Sequence, residues 1–118
     1  MGLYETTREF VLKIGIKLTD SVLILTDYNS SNLANHLGQQ AKLAFGSLAS
    51  PPVDILPIDL DLAYTATAEL MKRSSVVIYA SAPKDSLTPI REYAVDVARM
   101  GGTTIRFFDA SNLAHRLT

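Results

Sequence analysis

Two runs in this chain, Ser21–Thr26 "SVLILT" and Ser75–Ala80 "SVVIYA", are apolar through their centres. A strand with one wet face alternates polar and apolar residues. An unbroken run of aliphatic residues belongs to a strand buried on both faces. A chain with two such strands must therefore supply helices for both sides of a sheet.

The intervening segments have helical spacing. Thr6-Thr7 precede Phe10, Val11, Ile14 and Leu18, which would line one face of a first helix, with its end left open by Gly15. Leu33, Leu37, Ala41, Ala44, Phe45 and Leu48 form a second apolar stripe, capped by Asn29, Ser30 or Ser31 and stopped by Gly46 and Pro51-Pro52. Leu62, Ala66 and Leu70 mark a third helix, followed by Lys72-Arg73. Ile90, Ala94, Val97 and Ala98 mark a fourth, with Pro89 in its first turn and Gly101-Gly102 after it. Asp109 or Ser111 can cap a short final helix through Leu117.

Two further strands are of poorer quality. Val53–Ile58 "VDILPI" holds Asp54 and Pro57, and Thr103–Phe108 "TTIRFF" holds Arg106. Charge and proline belong on sheet edges, where a missing ladder donor costs little. Helices alternating with strands give a parallel sheet with right-handed crossovers. The expectation is a single α/β domain over residues 1–118. It is a three-layer Rossmann-like or flavodoxin-like fold, with about four parallel strands in the order 2-1-3-4 and helices on both faces.

Composition narrows the function classes. Eleven basic residues stand against twelve acidic ones, a net charge of −1, which gives no electrostatic footprint for nucleic acid. With no cysteine there is no thiol nucleophile, thiolate metal ligand or disulfide. The apolar runs fall far short of the ~20 residues of a membrane span. The start, "MGLYETTREF", carries charge where a signal peptide needs an apolar centre, so a cytoplasmic protein is expected.

In open α/β sheets, ligands gather at the carboxyl edge where the strand order reverses. That point falls between the first and third strands, where the loops "DYNSS" and "SAPKDS" meet. The candidate ligand-binding residues are Asp27, Tyr28, Ser30, Ser31, Ser81, Lys84 and Ser86. The serines and Lys84 offer donors to a small anionic ligand, joined by the free N–H groups of a helix start. Tyr28 offers a ring for stacking. Ser30 and Ser31 have a plainer reading as helix caps, whereas Asp27 and Tyr28 are not needed for capping. Tyr79 and Tyr93 fall in element patterns and read as half-buried packing residues.

Other chemistries lack their residues. No glycine occurs between Asp27 and Leu37, so neither a dinucleotide fingerprint nor a P-loop follows the first strand. Asp27, Asp59, Asp61, Asp85 and Asp109 fall near strand ends, but His36 and His115 lie in helical segments and match no zinc spacing. No G-x-S-x-G elbow is present. No catalytic residue, metal ligand or cofactor is assigned.

"VLKIGIKLTDSVLILTDYNSSNLANHLGQQA" and "LMKRSSVVIYASAPKDSLTPIREYAVDVARMGGTTIRFFDASNLAHRL" together resemble the N-terminal domain of aminopeptidase T-type metallo-aminopeptidases, often called leucyl aminopeptidases. The likeness spans roughly Val11–Leu117 and rests on the order of strand, loop and helix rather than on a catalytic motif. It implies a hydrolase-related but non-catalytic domain, serving substrate enclosure or subunit association. Its partners would be an adjoining catalytic domain or further copies of the chain. That family's metal ligands lie in a later domain, so none is carried over here. "SAPKDS" is also similar to the serine-rich phosphate loop of sugar isomerase-type phosphosugar-binding domains, although it lacks that loop's glycine. This second likeness implies an anionic, phosphosugar-like ligand.

Overall fold

The structure is a computed structural model that describes residues 2–45, 49–58, 63–81, 87–102 and 104–113. The element order is α1 (Leu3–Ile14), β1 (Val22–Thr26), a 3₁₀ turn (Tyr28–Ser30), α2 (Ser31–Leu43), β2 (Val53–Pro57), α3 (Ala63–Lys72), β3 (Val76–Ala80), α4 (Leu87–Gly101) and β4 (Arg106–Asp109). The four strands form one all-parallel sheet in the order β2-β1-β3-β4. This is the α/β fold and strand order expected from the apolar pattern.

Every residue of β1 and β3 is buried. Successive side chains leave a strand on opposite faces, so each strand feeds two cores. Val22, Ile24, Val76, Ile78 and Ala80 meet Val11 of α1 and Leu33, Ala34, Leu37 and Ala41 of α2. Leu23, Leu25, Val77 and Tyr79 meet Met71 of α3 and Ile90, Ala94 and Val97 of α4. Tyr79 is fully buried, deeper than its expected half-burial, because it points into this second core. The outer strands are only partly covered, and Asp54 and Pro57 lie on the β2 edge.

One feature of α1, the placement of Leu18, departs from the sequence reading. The helix begins at Leu3, so Thr6 and Thr7 lie inside it. Their hydroxyls bond back to the carbonyls of Gly2 and Leu3, each at 2.8 Å, which satisfies them within the helix. The helix ends at Ile14 because Gly15 adopts the left-handed conformation, φ 68°, which only glycine enters at little cost. Leu18 therefore leaves the helical face and is exposed.

The amino edge of the sheet carries a polar cluster. Asp20 accepts from the Lys17 N–H at 2.7 Å, the Ser75 hydroxyl at 2.8 Å and Arg106 at 2.7 Å. Ser75 Oγ in turn accepts from the Ser21 N–H at 2.9 Å. Arg106, the charge that marks β4 as an edge, is thus tied back to the loop before β1. Burial alone raises the Asp20 pKa. The Lys17 N–H, the Ser75 hydroxyl and the Arg106 charge together outweigh it, and the carboxyl sits below its ordinary value.

A lowered folded-state pKa adds stability that is present above the unfolded value of about 4 and is lost as pH falls through the folded value. Asp20→Asn should cost about 1–2 kcal/mol at neutral pH, allowing for the part-exposed Arg106. The gap from the native chain should close in urea titrations run below about pH 4. A gap independent of pH would show that the charge of Asp20 is not what stabilises the edge.

Candidate functional site

The carboxyl ends of β1 and β3 are neighbours, with Thr26 opposite Ala80. The next residue on each strand is Asp27 and Ser81, and the two side chains meet. Ser81 donates its hydroxyl to Asp27 Oδ2 at 2.6 Å, and Ser30 donates to the same oxygen at 3.1 Å. The Ser30 N–H donates to Oδ1 at 2.9 Å. Asp27, Ser30 and Ser81 are 8%, 1% and 2% exposed, so this constellation is closed to solvent.

This geometry corrects the reading of Asp27 as a residue not needed for capping. Asp27 is the N-cap of the 3₁₀ turn that leads directly into α2. The capping role moved because Ser30, which occupies the N-cap position of α2, makes no side-chain cap bond of its own. Its hydroxyl is engaged by Asp27 instead. A buried carboxylate that accepts hydrogen bonds is tolerated, whereas an unbonded one would be strongly unfavourable.

The structure therefore brings together three of the seven candidates. Tyr28 begins the 3₁₀ turn beside them, and Ser31 is the exposed first residue of α2. Lys84 and Ser86 lie outside the described residues, as do Asp59, Asp61, Asp85 and His115. Farther along the same edge, Asp109 accepts from the Ser111 N–H at 2.8 Å. The Ser111 hydroxyl is fully buried and bonds to no described residue. Among the described residues, no group of three or more His, Cys, Asp or Glu gathers where it could hold a metal ion. No described helix is long and apolar enough to cross a membrane.

A second concave feature was not foreseen. A groove of about 400 Å³ runs between α1 and α2, lined by Tyr4, Arg8, Val11, Leu12, Gln40, Leu43 and Ala44. Gln40 is 5% exposed, and its side-chain amide bonds to no described residue. The sequence did carry a signal for it. Gln40 lies seven residues after Leu33, on the same helical stripe as Leu37 and Ala41, where a purely structural helix would place an apolar residue.

The fold and the site define an open, doubly wound α/β domain in which the described polar side chains of the switch point, Asp27, Ser30 and Ser81, bond to one another. No protein-family model, curated protein or solved structure matches the chain.

The network can be tested by a double-mutant cycle. Asp27→Asn and Ser81→Ala should each destabilise the fold, and their coupling energy should be about 1 kcal/mol or more in chemical denaturation. Additive effects would show that the bond contributes nothing beyond its separate parts.

Proposed function

We propose that this chain is a non-catalytic α/β domain serving substrate enclosure or subunit association, as its resemblance to the N-terminal domain of aminopeptidase T-type metallo-aminopeptidases implies. The observation that carries this reading is the inward turn of the switch-point polar groups. Ser30 and Ser81, the donors an anionic ligand would need, already donate to Asp27. A phosphosugar-like anion placed there would meet the acceptor oxygens of Asp27 and would have to displace bonds made in a dry, low-dielectric setting. The outer faces, by contrast, leave large apolar side chains in contact with water. Val95 and Met100 are exposed on α4, and Ile55 is exposed on the edge strand β2. Such residues on outer elements suit contact with another domain or subunit.

Three measurements test the reading together. Sedimentation of the purified chain over a range of concentrations should show self-association, or binding to a catalytic domain supplied in trans. Leu-p-nitroanilide should release no product with added Zn²⁺, Co²⁺ or Mn²⁺. Metal-dependent turnover that co-purifies with the chain would overturn the non-catalytic assignment. A phosphosugar that raises the melting temperature would overturn the closed switch point, since a ligand at 100 times its Kd contributes about 2.7 kcal/mol.

A further inference from the structure

We infer that the α1–α2 groove is a binding site for a small amphipathic monocarboxylate, a molecule with an apolar body ending in one carboxylate. The inference goes beyond the association role and does not depend on it. Gln40 lies ten residues along α2 from Ser30, roughly 15 Å at the helical rise, so the groove is separate from the switch point.

Three observations carry it. The first is Gln40. Its neighbours on the stripe are Leu37 and Ala41, both fully buried, and an apolar residue would complete the packing. Instead the position holds an amide with two donors and an acceptor, none of them used by a described residue. The residue is 5% exposed but its amide atoms are not among the fully buried unpaired ones, so they keep contact with solvent at the groove, and rules of local packing are broken chiefly at functional positions. The second is Arg8. It lines the same groove, is exposed, and forms no ion pair or hydrogen bond among the described residues. A free guanidinium presents a planar fork that matches a carboxylate. The third is the apolar lining. Tyr4, Leu12 and Leu43 are each more than half exposed, at 53%, 59% and 58%, over a floor that includes the buried Val11. The groove volume of about 400 Å³ falls in the range of small-molecule sites. The apolar walls suit the apolar body of such a ligand, and the Arg8 guanidinium with the Gln40 amide suits its carboxylate end.

The test is a ¹H–¹⁵N NMR titration of the full chain with 4-phenylbutyrate. Its neutral isostere 4-phenylbutanamide and acetate, which lacks the apolar body, serve as comparisons. Saturable shifts are expected at Tyr4, Arg8, Leu12, Gln40 and Leu43, with 4-phenylbutyrate the tightest of the three. Arg8→Gln should weaken 4-phenylbutyrate about tenfold or more and leave the amide unchanged. Arg8 is exposed, so the variant should fold, and the same spectra report whether it has. Gln40→Leu should weaken the acid and, by completing the apolar stripe, hold or raise the melting temperature.

Absence of saturable shifts up to about 10 mM would overturn the proposal. So would equal binding of acid and amide. Shifts at these residues that depend on protein concentration and vanish in Leu12→Glu, without saturable ligand binding, would assign the groove to a second copy of the chain. That outcome would also overturn the proposal while leaving the association role standing. Loss of ligand binding alone says nothing against that role, which is read by sedimentation.

Discussion

The arrangement of this chain follows from one demand, that β1 and β3 be dry on both faces. Their side chains alternate between two cores, and neither core can be closed by the sheet itself. α1 and α2 cover one face, while α3 and α4 cover the other. With right-handed crossovers, that division requires the chain to leave β1 in one direction and return past it to β3. The reversal of strand order is thus a consequence of covering the sheet. It leaves the carboxyl ends of the two driest strands side by side, facing a region that loops must fill.

What fills it is a buried carboxyl group. Asp27 follows directly after a fully buried strand, and its partners come from its own turn and from the strand 54 residues later. The carboxylate ties the start of α2 to the end of β3. A residue whose position marks it for ligand contact thus works as a joint between elements. Three of the polar groups at this switch point, Asp27, Ser30 and Ser81, are engaged with one another.

Much of this was legible in the sequence, for identifiable reasons. The order of the sheet could be read because burial on two faces leaves a continuous apolar run, and because Asp54, Pro57 and Arg106 cannot sit in central strands. The start of α1 was left open because Thr6 and Thr7 serve equally well outside a helix and inside one, where their hydroxyls return to carbonyls four residues back. The roles of Asp27 and Ser81 were half legible. Their place at the switch point followed from topology, but the bond between them is a long-range contact with no local mark. Gln40 was missed because a single polar residue in a helix reads as a wet position until α1 is seen packed against it.

The two ends of the β1–β3 pair have one more consequence when taken together. "VLILT" and "VVIYA" are close to interchangeable as packing surfaces. Sliding one past the other by two residues would keep every side chain on its own face and lose little burial. Hydrophobicity therefore chooses the faces but scarcely distinguishes these alignments. Ser75, bonded to the Ser21 N–H and to Asp20, holds the pair at one end, and Ser81, bonded to Asp27, holds it at the other. Neither set of bonds survives a slip. Two serines, one at each end of this apolar strand, act as index marks for its alignment.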